Sequence, residues 1–412
     1  MIYKHQLDII TEDKAKIGLF LGTGSGKTLI ALSLARGSTL VICPKTQKED
    51  RNWEREAQKN KIHLDLTVMS KEEFRKRAPM LKPFDTIIVD EAHTCLGVTP
   101  SIKWVKKQPR PKTSQLFEAL ETYVQRVNPK RLYLCTATII RSPMTVWGAA
   151  RIFGLDWDFY KFRNLFYVRL PMPGREVFAP KTDEETKQKL ADMVKKIGYV
   201  GRLENYFDVP DQTYRTTHVE LTIEQKARIK EMALEFPDPL VRCGKIHQIE
   251  NGVLAGDEFS ASESFSNEKI DVLKDYAFEF PRMIVFAKYT AQINAIAEAM
   301  EKLGKKVFIL TGATQDRGAV IKEANETPEY VFIAQAQISA GWELPECPVM
   351  VFASRTYSFV DLDQALGRIQ RANNIKKNLY INLVVKGGVD EAVDKCLAEK
   401  KDFSEKLYVQ SN

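Results

Sequence analysis

Ile17-Gly-Leu-Phe-Leu21 runs directly into Gly22-Thr23-Gly24-Ser25-Gly26-Lys27-Thr28, and that into Leu29-Ile-Ala-Leu-Ser-Leu-Ala35. An apolar run, three alternating glycines closed by Lys-Thr, and a second apolar run read as buried strand, tight loop and helix. Glycines let successive backbone N–H groups close on a phosphate because no Cβ intervenes. The helix that follows adds the positive end of its dipole. Lys27 is placed to reach β- and γ-phosphates, and the Thr28 hydroxyl to ligate Mg²⁺. Leu21 stands where the strict pattern has glycine, so the match is to the Gly-x-Gly-x-Gly-Lys-Thr variant. A dinucleotide fingerprint fails, because Lys27 occupies the place of its third glycine. The stretch predicts a nucleoside-triphosphate site.

A second cluster gives this site a partner. Thr86-Ile-Ile-Val-Asp90-Glu91-Ala92-His93 puts two acids at the end of an apolar strand, where ligands sit in open α/β sheets. Asp90 is the candidate metal holder, and Glu91 the candidate general base or water-orienting group. Alone, an Asp-Glu pair at a strand end is as readily a helix cap. Downstream of the Lys27 loop it becomes a hydrolytic constellation. His93 points to a link with the next strand, which ends in Cys135-Thr136-Ala137-Thr138. Asp363-Gln364-Ala365-Leu366-Gly367-Arg368-Ile369-Gln370-Arg371 places two arginines at i and i+3, the spacing of one helix face. Guanidinium forks suit the charge of a transferring phosphoryl group, although a solvated surface helix would read the same.

Short apolar runs alternate with helical stretches through the first 140 residues: Ile17–Leu21, Thr39–Cys43, Leu64–Met69, Thr86–Asp90 and Arg131–Thr136 as strands, Gln47–Asn60 and Ser70–Arg77 as helices. The alternation resumes with Met283–Ala287, Lys306–Leu310, Tyr330–Gln335, Val349–Ala353 and Leu379–Val385. This predicts two doubly wound α/β domains with parallel sheets. The expected division is a first lobe at 1–150, a linker and helical region at 151–280, a second lobe at 281–400 and a polar tail at 401–412. Residues 97–115 hold three prolines and the bases Lys103, Lys106, Lys107, Arg110 and Lys112 around Trp104. They read as an irregular loop, either gripping a phosphate backbone or simply solvated. Gly256–Asn267 reads as a mobile loop.

With 412 residues, two domains are expected over one. No stretch approaches the apolar length of a membrane span. The start, Met-Ile-Tyr-Lys-His, lacks a signal-peptide pattern. Six scattered cysteines without C-x-x-C spacing support neither a disulfide framework nor zinc, and fit a reducing compartment. The net charge of +7 permits a polyanion partner without selecting one.

In order, the pieces are Gly-Thr-Gly-Ser-Gly-Lys-Thr, Cys43-Pro44-Lys45, Asp-Glu-Ala-His, Thr-Ala-Thr, Ile284-Val-Phe-Ala-Lys288, Gln337-Ile-Ser339-Ala-Gly341-Trp-Glu343-Leu-Pro and Gln-Ala-Leu-Gly-Arg-Ile-Gln-Arg. This series resembles that of superfamily-two helicases and translocases, from His5 to about Asn374. It looks most like the Swi/Snf-type DNA-dependent ATPases, in particular small phage and bacterial members. Leu134–Trp147 echoes their LTGTPxxNxxxELW segment, Arg202–Gln225 their interlobe linker, and Cys243–Gly252 the segment read LRQIxNG.

The resemblance implies two RecA-like lobes, with ATP and Mg²⁺ as cofactors and DNA as partner, double-stranded or branched, RNA being possible. Protein partners from recombination, repair or replication are left unspecified. The location implied is the cytoplasm of a bacterium or phage-infected cell, and no membrane is involved. It assigns Gln6 to adenine, Gly22 through Thr28 to phosphates, and Thr28 and Asp90 to metal. Asp90 and Glu91 would run hydrolysis, with Arg368 and Arg371 as arginine fingers. Gly341 and Glu343 would line the nucleotide site. His93, Thr136, Thr138 and Gln364 would couple it to the track, and Pro44, Lys45 and Ser339 would touch the phosphodiester backbone. Gly341-Trp-Glu-Leu-Pro departs from the usual Gly-x-Gly-Leu-Asn-Leu, and Ala137 from the usual glycine. The function implied is an ATP-dependent DNA translocase or helicase; an RNA-unwinding enzyme and an ATP-gated DNA clamp are the alternatives.

Overall fold

The computed structural model describes residues 2–105, 107–172, 175–202, 205–207, 211–256, 261–336, 338, 342–369 and 377–399. The chain divides into two compact units, Met1–Phe207 and Asp208–Asn412.

In the first unit, β1 (Lys16–Leu21), β2 (Ser38–Cys43), β3 (Asp65–Ser70) and β4 (Thr86–Asp90) precede a ribbon of β5 (Val98–Val105) and β6 (Gln108–Thr113). Next come β7 (Arg131–Cys135), a second ribbon of β8 (Tyr167–Met172) and β9 (Arg175–Pro180), and β10 (Gly198–Gly201). Six strands form one parallel sheet in the order β10-β1-β7-β4-β2-β3. Apolar residues on both strand faces explain the parallel arrangement. Phe20, Leu40, Ile42, Ile87 and Val89 pack into one core, while the alternate residues Leu19, Leu21, Val41, Cys43 and Ile88 pack into another.

The second unit carries β11 (Thr213–Val219), the short pair β12 (Val253–Leu254) and β13 (Glu263–Ser264), then β14 (Arg282–Ala287), β15 (Val307–Leu310), β16 (Tyr330–Gln335), β17 (Val349–Phe352) and β18 (Leu379–Val385). Its sheet is also six-stranded and parallel, ordered β11-β18-β17-β14-β16-β15. Ile284, Phe286, Phe332 and Met350 face one core; Met283, Val285, Ile333 and Val351 face the other. The expected α/β class with two parallel sheets is therefore present.

Several expectations change. The unit boundary at 207/208 falls inside the segment 151–280, whose first part packs with the first unit. Residues 97–115 are not an irregular loop but carry the β5–β6 ribbon. Pro109 and Pro111 are tolerated there because a two-stranded ribbon has free edges on both sides. The helix expected over 47–60 is two helices, Lys45–Glu49 and Asn52–Lys59, broken where Arg51 takes φ 51°. Within Gly256–Asn267, Glu263–Ser264 pairs with Val253–Leu254, while 257–260 lie outside the described residues, as does the tail. The helix around Arg368 stops at Leu366 and is capped by Gly367, so Arg368 sits in the turn beyond it. Among the described residues, no helix is long and apolar enough to cross a membrane.

Candidate functional site

The glycine loop closes the carboxyl end of β1 and opens the helix Lys27–Leu34. Gly24 and Gly26 take φ of 77° and 84°, conformations that glycine adopts without strain. A Cβ on Gly26 would lie 2.2 Å from Gln6 Nε2. The loop is thus cradled from behind by the N-terminal helix. Gln6 Nε2 donates to the Ser25 carbonyl at 3.1 Å, and His5 Nε2 lies 3.0 Å from the same oxygen. Gln6 Oε1 accepts the Tyr3 N–H at 3.0 Å. Ser25 Oγ donates to the Gly22 carbonyl at 2.6 Å. Lys27 Nζ curls back onto the Leu21 and Gly22 carbonyls at 2.8 and 3.0 Å, holding its ammonium under the loop.

β7 lies between β1 and β4, so Thr136 separates the loop from the acids. The Thr136 N–H donates to the Leu19 carbonyl at 3.2 Å. His93 Nδ1 lies 2.8 Å from Thr136 Oγ1, 3.4 Å from Thr138 Oγ1 and 3.4 Å from Glu91 Oε2. The expected coupling groups of the first unit are therefore gathered around one imidazole. Burial, with the cations of Lys71 and Arg141, lowers His93 to about 4, so the ring is neutral near pH 7. Asp90 is 6% exposed, and burial together with the Glu91 charge pushes its carboxyl up to about 6. Its Oδ1 accepts the Glu91 N–H at 2.9 Å. Glu91 stands in the left-handed region at φ 43°, and its buried Oε2 accepts no hydrogen bond among the described residues.

This donor set fits a hydrated magnesium ion and a phosphate chain. Mg²⁺ is usually held by one or two carboxylates plus phosphate oxygens and waters. Among the described residues no group of three metal-ligating acids, histidines or cysteines is present. Asp90 is a buried carboxylate at this place, and Glu91 Oε2 beside it is buried without a hydrogen bond among the described residues.

In the second unit, Arg368 is buried; its Nε donates to the Gln364 carbonyl at 3.0 Å and its Nη1 to the Trp342 carbonyl at 2.9 Å. It ties the segment after Gly341 to the Phe359–Leu366 helix. Glu343 is exposed, and its carbonyl accepts Asn325 Nδ2 at 3.3 Å. Arg371, Ser339 and Gly341 lie outside the described residues. Pro44 caps the helix Lys45–Glu49 at the end of β2, and exposed Lys45 lies 3.5 Å from Glu49.

Sequence reasoning missed Lys71 and an aromatic brace. Buried Lys71 donates to the Glu91 carbonyl at 3.0 Å and to Thr94 Oγ1 at 2.6 Å, so an ammonium holds the turn that carries the acids. Beside Glu72 and Glu73 at a helix start it reads as a surface residue. Tyr206 stacks on His5 with ring centroids 4.1 Å apart, and Phe207 meets Tyr3 edge-on at 4.7 Å. Nothing local in the sequence joins residues two hundred apart.

Among curated proteins, none matches the chain. The solved SWI2/SNF2 ATPase core of Sulfolobus solfataricus in complex with double-stranded DNA is similar at 19% identity, over 97% of this chain and 91% of its own, with a TM-score of 0.40. A family model, the helicase conserved C-terminal domain, matches residues 268–373. That span lies within the second unit and runs from the helix before β14 to the segment after Arg368, so the second unit is similar over it to the helicase conserved C-terminal domain.

Proposed function

We propose that this chain is a nucleic-acid-dependent ATPase of superfamily two, similar to the Swi/Snf-type enzymes, that moves along DNA with little sequence preference. The observation that carries the reading is the cluster of Asp90, Glu91, His93 and Thr136 beside the Lys27 loop, with Glu91 Oε2 buried and unbonded among the described residues. The helicase C-terminal domain in the second unit supports it independently.

In this reading the loop amides and Lys27 bind the triphosphate, while Thr28 and Asp90 hold Mg²⁺, which supplies charge neutralisation of the phosphates when bound. Glu91 orients the attacking water. Neutral His93 passes the state of that carboxylate to Thr136 and Thr138. Arg368, whose guanidinium is bonded to Trp342 and Gln364, braces the segment that carries Gly341 and Glu343. Backbone contacts from Pro44, Lys45 and Ser339 carry no base information, so binding is salt-sensitive and sequence-tolerant.

The test is phosphate release measured without nucleic acid and with duplex, single-stranded, forked DNA or RNA. Lys27→Ala and Glu91→Gln each lower the stimulated rate by about 10²–10⁴ while DNA binding persists. A full rate in either variant would overturn the assignment. Stimulation by RNA alone would transfer the motor to the other nucleic acid.

A further inference from the structure

The β5–β6 ribbon breaks three local rules within a few residues. First, Lys103 and Arg110 stand directly opposite each other in the antiparallel register, a pairing of like charges that destabilises a ribbon. Lys103 is partly neutralised by Glu118 on the following helix. Arg110 and Lys112 are exposed and make no ion pair among the described residues. Second, Val105 pairs with Gln108, leaving a two-residue connection in which Lys107 takes φ 66°. Glycine or asparagine is the inexpensive choice there. Third, Trp104 is 68% exposed.

The pleat sorts these side chains. Opposed residues share a face, so Lys103, Arg110 and Lys112 line one side, while Ile102, Trp104, Pro109 and Pro111 line the other. Ile102 packs onto the core of the first unit. Trp104, one step nearer the tip, stays largely exposed. Residues 97–113 contain no acid. The ribbon starts five residues after His93, on the chain that leaves the carboxylate cluster. Folding rewards none of these choices, and a polyanion with unpaired bases rewards all of them.

We propose that this ribbon is an accessory grip for a DNA strand carrying unpaired bases that wraps around its tip: Lys107 at the turn and Arg110 and Lys112 on one face take phosphates, and Trp104 on the other face stacks on a base. The inference rests on the functional reading above and adds a contact that the motif series does not contain. Stacking on an exposed aromatic tolerates any base, as a sequence-independent motor requires.

The experiment uses the full chain and one fluorescent oligonucleotide, presented as a single strand and as a blunt duplex, with binding followed across a salt titration. Arg110→Glu with Lys112→Glu reduces the slope of log affinity against log salt by about 2. Trp104→Ala weakens the single strand roughly tenfold and leaves the duplex unchanged. Lys107→Gly relieves the positive φ, so its thermal midpoint rises while its salt slope falls by about 1. This last variant keeps the test decisive should the charge reversal unfold the ribbon. A wild-type slope in both charge variants, or equal loss on both probes in Trp104→Ala, overturns the proposal. So does binding of polyglutamate as tight as DNA and lost in the same variants, which would reassign the surface to acidic protein segments. DNA-free phosphate release stays at the wild-type rate in all three variants. Failure of the motor reading shows instead as no stimulated hydrolysis in the unmodified chain.

Discussion

Asp90 and Asp390 are both buried, each 6% exposed; Asp90 ends β4 and Asp390 lies in the helix that follows β18. Their surroundings treat them oppositely. Asp90 is pushed up to about 6 by burial and by the neighbouring Glu91 charge. Burial also works against the charge on Asp390, but the Lys269 ammonium and His247 hold it well below the usual carboxylate range. His247 Nε2 lies 2.9 Å from one Asp390 oxygen, and buried Lys269 bonds the other while also reaching Asn251 Oδ1 at 2.7 Å and the Ala353 carbonyl at 2.8 Å. Tyr289 and Tyr357 hydroxyls complete the network at 2.8 and 2.9 Å from His247 Nδ1. Glu250 is a partial exception: burial and Asp390 push it up to about 8, yet its oxygens accept the Val389 and Asp390 N–H groups. The carboxylate of Asp390 is compensated by an ammonium and an imidazole bonded to it, whereas the carboxylate of Asp90 accepts the Glu91 N–H and has a second acid beside it, the kind of perturbed group that marks a candidate site.

The comparison breaks most visibly at Lys269. Lys269→Met strands Asp390 in the interior and should destabilise the second unit by about 3–5 kcal/mol, read as a fall in its denaturation midpoint. A loss near zero would mean that the network is not compensating charge. Asp90→Asn should do the reverse. Removing a carboxylate held above its ordinary range stabilises the ligand-free first unit on the order of 2 kcal/mol while abolishing Mg²⁺-dependent hydrolysis.

The pH dependence sharpens this. Asp90 has a raised carboxyl, so the folded form binds more protons between about 4 and 6, and its contribution makes stability fall as pH rises through that window. His93 is lowered from 6.5 to about 4, so its contribution makes stability fall as pH drops through nearly the same window. The two slopes oppose. Asp90→Asn leaves a protein that weakens on acidification relative to wild type, and His93→Gln one that strengthens; thermal midpoints between pH 4 and 6.5 check both signs. The smallest effect is at Lys71. Lys71→Met removes the ammonium from the Glu91 carbonyl, costing about 1 kcal/mol and moving the Asp90 carboxyl further up, visible as an upward shift of the acid limb of the hydrolysis profile.

How much of this was legible depended on range. The buried central strands were visible because strands covered on both faces read as unbroken apolar runs, and β4 falls on Thr86–Asp90 as expected. The edge strand β11 was hidden, since Thr213–Val219 is largely polar with Tyr214 exposed, and such a stretch shows no core face. β10 was hidden by its brevity and two glycines, which only make sense against the Phe20 ring packed over Gly198 and the Tyr206 ring packed over Gly201. In the site, the glycine loop and the acid pair announced themselves through local spacing. Lys71 and Tyr206 act across long separations, and no spacing rule reaches them. The arginine helix was overextended because periodicity does not register the stop at Gly367.

β10 has a temporal consequence. It pairs with β1 from Gly18 against Gly198 to Leu21 against Gly201, and the Gly22 N–H is bonded to the Gly201 carbonyl at 2.8 Å. A ribosome therefore releases the glycine loop early but must add roughly 180 residues before its supporting neighbour emerges, about ten to forty seconds at ordinary elongation rates. Until then the nascent β1 has an open flank, and the loop gains its full backbone support only when the first unit's last strand arrives.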